Sequence, residues 1–455
     1  MAKLIIGNGF NEAMVGDITK SSLTFRYAVA SEAKRLGWFV EKNDVIVLPS
    51  SISEVMQNYI GRTLEKDISN VTFIPASEDI LNPSILTSDV LLNDEFIERL
   101  SNIINSSHSW KVFPYFFTSS IIHLCQRLNI SITNNDNKLS FVSQCGADIL
   151  NSKAVFRSIA AGYNVPIPPG YVCRTPLEMY WAMQELFGQN KTVIIKQNLN
   201  ASGDGNIAVT IENLSSYPGV CEIFKLETYK NITLELANLL WHKLSDAFGN
   251  NQLIIEAYFS SKYTIYSEYE IFPNKLGYKR NSHGIVRMDS SGDKRGNGMT
   301  NWIGFQIPFA LPKSVSDAFL SQSNLLAQVV SSLGYNGHIN FDAIVTNDDD
   351  VLFTEINGRL GGCTHLHFIA EKLISSNYLA THCILTRNRV VITDLAHAFK
   401  AASSLCTASQ SSGIIILNED MTTMGTIEYM VYAPSVAEAS FMEKKFAQLL
   451  LNKQS

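Results

Sequence analysis

The sequence predicts a protein of mixed α/β and α+β class, with an open α/β domain first, a two-lobed body second and a small α+β region last. Three observations predict this order. Short apolar runs alternate with amphipathic stretches up to about residue 150, a Gly-rich hairpin follows, and an acidic hairpin comes near the end of the body. We place the domains at residues 1–150, 151–400 and 401–455, with lobes at about 151–258 and 259–400.

Length and composition describe a well-buried globular chain. Its 455 residues suit about two to four domains, and 46% of them are hydrophobic against 17% charged. A net charge of −6 without a basic cluster argues against a nucleic-acid partner. No apolar run is long enough for a membrane span, no signal-peptide pattern follows Met1, and the seven cysteines are scattered. We therefore expect a cytoplasmic protein without a membrane partner.

Four strands are predicted in the first domain, each followed by a break or a helix. They are Leu4–Ile6, Val45–Leu48, Val71–Ile74 and Trp110–Phe113. This alternation is typical of a parallel sheet. Gly7 and Gly9 lack the third glycine of a dinucleotide fingerprint, which favours close backbone packing over nucleotide binding. Exposed strands in this domain would also be compatible with a homodimer.

The first lobe of the body contains a lysine next to a glycine-rich loop. Ser152 is placed to cap a helix that stops at Gly162. Lys196 ends an apolar strand, and the loop over residues 201–206 leads into a second strand. Such a hairpin can close over phosphates, because backbone N–H groups approach closely where no Cβ intervenes. An ordinary flexible hairpin is the alternative.

Two further segments of the body suggest a ligand. The apolar strand over Leu253–Tyr258 contains Glu256, whose carboxylate can accept hydrogen bonds from ribose hydroxyls. The adjacent backbone can hydrogen-bond to the edge of an adenine ring. The polar segment Asn281–Asn301, with Arg287 and Arg295, is predicted to be an active-site loop; an exposed turn is the alternative.

The most informative stretch is an acidic hairpin. Two apolar strands, Ile339–Val345 and Val351–Ile356, flank a polar tip. Glu355 and Asn357 lie two apart and share a face, and Asp342 can face them from the partner strand. Such oxygen donors suit Mg²⁺ held between protein and phosphates. The alternative, a solvated acidic hairpin, is disfavoured because Val or Ile would pack better at these strand ends.

The remaining sequence is less informative about chemistry. Phe368–Thr386 is predicted to be helical, and residues 401–455 to form a small cap of two strands and a helix. Cys363, His365 and His367 alternate in a way that suggests zinc, but no fourth ligand has the proper spacing. A histidine that shapes a substrate pocket is the favoured interpretation.

The ordered set of Lys196, the glycine loop, Glu256, Asp342 and the run from Glu355 to Arg359 resembles the ATP-grasp ligases over about residues 151–400. Within that superfamily the whole chain is most similar to the pheganomycin-type peptide ligases. Its layout is similar: a pre-ATP-grasp α/β domain, an ATP-grasp body and a short cap containing Gly425-Thr-Ile-Glu-Tyr and Tyr432-Ala-Pro.

The resemblance implies ATP and Mg²⁺ as cofactors, and it assigns roles by position. Lys153 and Lys196 would contact the ATP phosphates. The loop that closes over these phosphates would consist of Ser202, Gly203, Asp204, Gly205 and Asn206. The adenine strand is Glu256, Ala257 and Tyr258; Glu268 lies near the ribose, although Glu256 and Glu270 are alternatives. The Mg²⁺ ligands are Asp342, Glu355 and Asn357. Arg359 meets the γ-phosphate, and Arg287 is a candidate for the oxyanion of the acyl group. Asp342 departs from the family, where many relatives have Glu.

These assignments imply an ATP-dependent carboxylate–amine ligase that forms an amide through an acyl phosphate and releases ADP and phosphate. Its substrates would be a carboxylic acid or amino acid and an amine, amino acid or peptide acceptor, as in specialised metabolism. Two alternatives stay open. One is an ATP-grasp enzyme with another acceptor, such as a carboxylase or a ligase of primary metabolism. The other is a non-catalytic ATP-binding regulator.

Overall fold

Three sheets organise the part of the chain that the computed structural model describes: a four-stranded, a five-stranded and an eight-stranded sheet. The structure describes residues 1–18, 22–77, 79, 83–104, 109–132, 140–200, 205–214, 217–247, 249–273, 277–289, 301–406 and 411–451. Within these residues, no helix combines the length and the apolar character needed to cross a bilayer.

The first domain is an open parallel sheet with helices around it. Its elements are β1 (Ala2–Ile6), α1 (Glu12–Val15), α2 (Leu23–Ala33), β2 (Val45–Leu48), α3 (Glu54–Thr63), β3 (Thr72–Pro75), α4 (Ser88–Leu91), α5 (Asp94–Ile103), β4 (Trp110–Pro114), α6 (Ser119–Arg127) and α7 (Gly146–Leu150). The order β3-β2-β1-β4, parallel throughout, confirms the predicted sheet. A Cβ added at Gly7 would lie 2.8 Å from Leu48 Cδ2, so this glycine does permit close packing.

The N-lobe of the body is built on the five-stranded sheet. Its elements are α8 (Lys153–Gly162), β5 (Gly170–Cys173), α9 (Pro176–Gln189), β6 (Thr192–Gln197), β7 (Asn206–Thr210), β8 (Glu222–Lys225), α10 (Leu234–Leu244) and β9 (Leu253–Ala257). The strand order is β5-β9-β6-β7-β8. Apolar side chains of α9 and α10 pack on one face of this sheet. The β6–β7 pairing sets Lys196 directly beside Asn206.

Ser152 caps α8, as the sequence predicts, and this contact is open to test. Its hydroxyl accepts a hydrogen bond from the Val155 N–H and donates one to Asn198 Oδ1 at 2.8 Å. We expect Ser152→Ala to lower the free energy of unfolding by about 1–2 kcal/mol, because both bonds are lost at a buried helix end. Chemical denaturation measures this loss. Ser158→Ala, on the exposed side of the same helix, is the matched control and should lower the free energy of unfolding by less than Ser152→Ala does.

The C-lobe and the C-terminal residues share the eight-stranded sheet. The elements are β10 (Ser261–Ile271), β11 (Tyr278–Asp289), β12 (Asn301–Ile307), α11 (Lys313–Leu333), β13 (Gly337–Thr346), β14 (Val351–Asn357), α12 (Thr364–Leu373), α13 (Tyr378–Thr381), β15 (Cys383–Val391), α14 (Leu395–Ser404), β16 (Gly413–Asp420), β17 (Thr426–Ala433) and α15 (Val436–Leu451). The order is β14-β13-β10-β11-β12-β15-β17-β16. The antiparallel β13–β14 pair confirms the predicted acidic hairpin.

Three expectations need correction here. Residues 281–289 lie in β11 and are not loop, because their backbone pairs with β10 on one side and with β12 on the other. The predicted helix over Phe368–Thr386 ends early, and residues 383–386 begin β15. Residues 401–455 do not form a sheet of their own, since β16 and β17 extend the C-lobe sheet through the β15–β17 pairing.

The first domain is docked onto the C-lobe sheet. One apolar core contains side chains of β1 and β2 together with Leu417, Met430 and Tyr432 from β16 and β17. Trp38 is fully buried, and its indole N–H donates to the Leu417 carbonyl oxygen at 2.7 Å. This docking closes one end of the cleft described next.

Candidate active site

A cleft lies between the two lobes and is closed at one end by the first domain. It contains a cavity of about 300 Å³. Lys153 and Lys196 reach it from the N-lobe, the β13–β14 hairpin from the C-lobe, and Arg35 and Tyr115 from the first domain. All three structural units therefore contribute side chains to one site.

The acidic hairpin brings its oxygen donors together. Asp342 and Glu355 face each other in the strand register. Asn357 Nδ2 donates to Asp342 Oδ2 at 2.9 Å, and Arg359 Nη2 donates to Asn357 Oδ1 at 2.9 Å. The structure thus places Asp342, Glu355, Asn357 and Arg359 in one cluster on the cavity wall. Two carboxylates and an amide oxygen are a donor set that fits a hard divalent cation such as Mg²⁺.

One lysine shares this cluster with the two carboxyl groups. Lys153 Nζ lies 3.1 Å from Glu355 Oε2 and donates to the Asn200 carbonyl oxygen at 2.9 Å. Burial alone would raise the pKa of Glu355, but the charge and hydrogen bond of Lys153, the Lys196 charge and the hydrogen bond with Asp342 together outweigh it and lower this pKa to about 2. Burial and the nearby Glu355 charge raise the pKa of Asp342 well above its usual value. The pair therefore favours retaining one proton, which a bound divalent cation would displace.

Lys196 is held by a buried carboxylate. Glu256 is 2% exposed, and its Oε2 lies 2.6 Å from Lys196 Nζ. Its other oxygen pairs with Arg157, which also donates to the Pro168 carbonyl oxygen at 3.0 Å. Lys196 and Arg157 carry two positive charges against the one negative charge of Glu256, so this group has a net positive charge that can attract a phosphate. Because both Glu256 oxygens are engaged, the geometry favours a positioning role for Glu256 over a contact to ribose.

The strand that leaves the N-lobe forms a partly apolar wall. Ala257 ends β9, and Tyr258 begins the link to β10. The Tyr258 N–H donates to the Thr192 carbonyl oxygen at 3.1 Å, which fixes the link against the sheet. Ala257, Tyr258 and Ile194 all line the cavity, so an aromatic base has flat apolar surfaces available here.

The glycine loop is described only in part. Ser202, Gly203 and Asp204 lie outside the described residues. Gly205 precedes β7, and Asn206 lines the cavity while its Nδ2 donates to the Gly219 carbonyl oxygen at 2.8 Å. The described end of this loop therefore reaches the cleft.

Glu268 lies beneath the cleft. It is fully buried, accepts a hydrogen bond from Thr364 Oγ1 and another from Ser282 Oγ at 3.4 Å. Burial raises its pKa to about 7, although these hydrogen bonds oppose the rise. Among the described residues that line the cavity, neither Glu268 nor Glu270 appears. The structure therefore does not bring either one to a ligand in the cleft.

Replacing Glu268 by glutamine is expected to reduce the pH dependence of stability. The folded pKa of about 7 exceeds the ordinary 4.5, so the folded state binds more protons between these values. The free energy of unfolding then falls as the pH rises through this window, by on the order of 3 kcal/mol. Denaturation of both proteins at about pH 5 and about pH 8 measures this effect. Relative to wild type, Glu268→Gln should gain stability at the higher pH; an equal difference at both values would contradict the expectation.

Arg287 is not brought to the cleft. Its guanidinium pairs with both Glu443 oxygens at 2.9 and 2.8 Å and donates to the Thr386 carbonyl oxygen at 2.8 Å. It ties α15 to the sheet, while its neighbours Val286 and Met288 line the cavity. The geometry therefore corrects the expectation that Arg287 meets the oxyanion of the acyl group. Arg295 lies outside the described residues.

The alternating Cys363, His365 and His367 separate in the structure. Cys363 lines the cavity. His365 is buried elsewhere, and His367 Nδ1 hydrogen-bonds to Tyr378 Oη at 3.0 Å. Neither histidine is among the described residues of the cavity wall, so the wall is shaped by other side chains.

The sequence patterns did not identify several residues that line the cavity. They are Arg35, Tyr115, Asn340, Trp302 and Phe305. Asn340 precedes Asp342 by two on the same strand, so strand alternation could have identified it. The other four could not be recognised from local sequence patterns, because they reach the cleft only when the first domain docks and β12 pairs with β11.

Comparisons with known proteins agree with this architecture. Residues 33–130 match the family model of the Pre ATP-grasp domain, and no curated protein sequence matches the chain. Biotin carboxylase from Campylobacter jejuni is similar in structure with a TM-score of 0.58 and 14% identity, over 98% of this chain and 91% of that one. N5-carboxyaminoimidazole synthetase from Staphylococcus aureus has a TM-score of 0.56 at 12% identity, over 98% and 97%.

The similarity to a third structure covers both chains over their full length. N5-carboxyaminoimidazole ribonucleotide synthetase from Thermus thermophilus has a TM-score of 0.55 at 10% identity and covers 100% of each chain. Together with the domain match, these likenesses show an ATP-grasp type of fold, preceded by a pre-ATP-grasp domain.

Proposed function

We propose that this protein is an ATP-dependent carboxylate–amine ligase that forms an amide through an acyl phosphate and releases ADP and phosphate. One observation supports this most strongly. Asp342, Glu355, Asn357 and Arg359 cluster on one wall of a cleft that Lys153 and Lys196 also line. Opposite charges thus converge where a triphosphate and a divalent cation would have to meet.

In this proposal the cleft has a nucleotide end and a substrate end. Ala257 and Tyr258 receive the adenine, and Lys153 and Lys196 contact the phosphates. Asn206, at the described end of the glycine loop, lies beside them, and Glu256 holds Lys196 in place. The apolar wall at Ala257 and Tyr258 and the net positive charge around Glu256 support this orientation of the nucleotide in the cleft.

Asp342, Glu355 and Asn357 would hold Mg²⁺. Bound there, the cation supplies charge neutralisation at the transferring phosphoryl group and a fixed orientation for its oxygens. Arg359, fixed by its bond to Asn357 Oδ1, places its guanidinium on the same side and compensates the charge of the γ-phosphate. The chain's own contribution is therefore positioning and electrostatics, for which no nucleophilic side chain is required.

The reaction then follows from the weakness of a carboxylate as an electrophile. A carboxylate oxygen attacks the γ-phosphorus, ADP leaves, and the resulting acyl phosphate is attacked by an amine to give an amide and phosphate. Enclosure of the site between the two lobes and the first domain limits access of water to the acyl phosphate. The similarity of the sequence to the pheganomycin-type peptide ligases supports an amino acid or peptide as the amine, in specialised metabolism. A cytoplasmic location, with its ATP supply, fits this role.

A second candidate keeps the cleft but changes the acid. The structural likeness to biotin carboxylase and to N5-carboxyaminoimidazole synthetase extends over 98% of the chain, which favours bicarbonate as the alternative acid. The same charge arrangement would serve that reaction.

Incubation with ATP, MgCl₂ and a panel of acids and amines tests the proposal. We expect ADP release that requires both an acid and an amine, with the amide detected by mass spectrometry. Bicarbonate-dependent ADP release would favour the carboxylase. AMP release would contradict the acyl-phosphate route, and absence of turnover with every acid would favour a non-catalytic ATP-binding regulator.

A further inference from the structure

We infer that the acid substrate has an aromatic or bulky apolar side chain, and that Asn340 receives its carboxylate. This inference rests on the proposed function, since it identifies the substrate class of the same cleft. It comes from the part of the cavity wall that Trp302, Phe305 and Tyr266 form.

The wall at this end is aromatic. Trp302 and Phe305 meet edge to face with ring centroids 5.3 Å apart, and Phe305 meets Tyr266 in the same way at 5.1 Å. Val286 and Met288 continue the wall from the neighbouring strand. The Trp302 indole N–H is already bonded to the Gly304 carbonyl oxygen at 3.0 Å. The ring therefore offers a ligand an apolar surface and no free donor, which suits another ring or a branched chain.

The fixed charges at this end are already balanced. Arg35 forms a two-bonded pair with Glu428 at 2.8 and 2.7 Å, and its remaining nitrogen lies 3.6 Å from Glu32. Glu32 also pairs with Arg389 at 3.1 Å. Two cations against two carboxylates leave no net charge here to pair with an acidic or basic group in the side chain of the substrate. An uncharged side chain is therefore favoured over a charged one.

Two buried donors lie between the aromatic wall and the acidic hairpin. In the described part of the chain, Asn340 Nδ2 and Arg359 Nε have no acceptor, and both residues line the cavity. Asn340 is only 4% exposed, so its unpaired N–H groups are costly unless a ligand accepts from them. A substrate carboxylate beside the γ-phosphate would supply acceptor oxygens at this place.

The orientation of the Asn340 amide is fixed by its surroundings. The buried Cys363 thiol lies 3.4 Å from Asn340 Oδ1 and can donate to it, so the amide nitrogen takes the opposite side. A Cβ at residue 361 would lie 2.4 Å from this nitrogen, so Gly361 leaves room for it. Gly362 is the next residue, and its own Cβ would meet Phe305 and Trp302 at an ordinary 3.4 Å. A larger side chain at position 362 would therefore fill the aromatic end without a backbone clash.

The test measures acyl-phosphate formation directly, with hydroxylamine as the amine, so that the natural acceptor need not be known. Hydroxamate and ADP are measured with L-phenylalanine, phenylacetate, glycine, acetate, L-glutamate and bicarbonate. We expect the two aromatic acids to exceed the small and charged acids in kcat/KM by about 10- to 200-fold, the range a hydrophobic pocket provides. Gly362→Val should remove this preference by lowering kcat/KM for the aromatic acids alone.

Asn340→Ala should act differently from Gly362→Val. It should raise KM for every acid by about tenfold, whatever the side chain, because a hydrogen bond to a charged group is lost. The KM for ATP should not change, and ATP binding measured by calorimetry checks that each variant is folded.

Each outcome decides the inference. Preference for glycine, acetate or bicarbonate, or an unchanged KM for acids in Asn340→Ala, overturns it while the ligase function stands. ADP release from no acid at all, with ATP still bound, overturns both the inference and the proposed function.

Discussion

Glu355→Gln is expected to reduce ATP-dependent turnover on the order of 10²- to 10³-fold, which is typical for removal of one preorganised electrostatic contact from a reacting centre. Glu355 is the more acidic member of the carboxyl pair, because Lys153 at 3.1 Å, Lys196 and the hydrogen bond with Asp342 together overcome the effect of burial and lower its pKa to about 2. Its charge is therefore the main attraction for a divalent cation. The glutamine keeps the shape of the side chain and loses this charge, so Mg²⁺ affinity and phosphoryl transfer should fall together.

The free energy of unfolding should change much less than the turnover. Glu355 lies opposite Asp342, and burial together with the Glu355 charge raises the pKa of Asp342 well above its usual value. Without the Glu355 charge, Asp342 can ionise beside Lys153, which offsets part of the loss of the Lys153–Glu355 ion pair. Asp348→Asn, at the exposed tip of the same hairpin, is the matched control and should keep full activity. Steady-state ADP release and thermal denaturation measure both properties; wild-type turnover in Glu355→Gln would contradict the role of the cluster.

Glu428→Ala is expected to lower the free energy of unfolding by about 3–5 kcal/mol, because it leaves the buried Arg35 charge without its main partner. Arg35 is 5% exposed and Glu428 4% exposed, and two hydrogen bonds join them. Glu32 lies 3.6 Å from Arg35 and compensates only in part. The pair connects the 3₁₀ helix over Lys34–Phe39 to β17, so its loss should loosen the docking of the first domain.

Two further variants separate charge burial from loss of packing. The double variant Arg35→Met with Glu428→Ala removes both charges and should recover part of the lost stability, measured by chemical denaturation. Lys262→Ala breaks an exposed ion pair with Asp349, joined at 2.9 Å, and should cost less than about 1 kcal/mol. Equal losses in Glu428→Ala and Lys262→Ala would contradict the importance of the buried pair.

Local patterns were sufficient for much of the fold. The four parallel strands, the cap at Ser152 and the β13–β14 hairpin all follow from periodicity and capping residues. Strand alternation predicts Glu355 and Asn357 on one face, and the short hairpin predicts Asp342 opposite them, because both depend on residues close in the chain.

Features that depend on distant pairing were not predictable. The C-terminal strands were expected to form a separate cap, whereas β17 pairs with β15 and extends the large sheet. Arg287 was expected at the acyl group because it lies in a polar, glycine-rich segment and the family resemblance suggests this role, but its partner Glu443 is 156 residues away. Arg35 gave no signal for the same reason, since Glu428 is 393 residues distant.

Transfer of ¹⁸O from a labelled acid to inorganic phosphate tests the central claim most directly. If the cleft moves the γ-phosphoryl group of ATP to a carboxylate, one labelled oxygen per turnover must leave with phosphate when the amine attacks the acyl carbon. Mass spectrometry of the phosphate should therefore show one ¹⁸O for each amide formed. Unlabelled phosphate, or label found in AMP, would contradict the account.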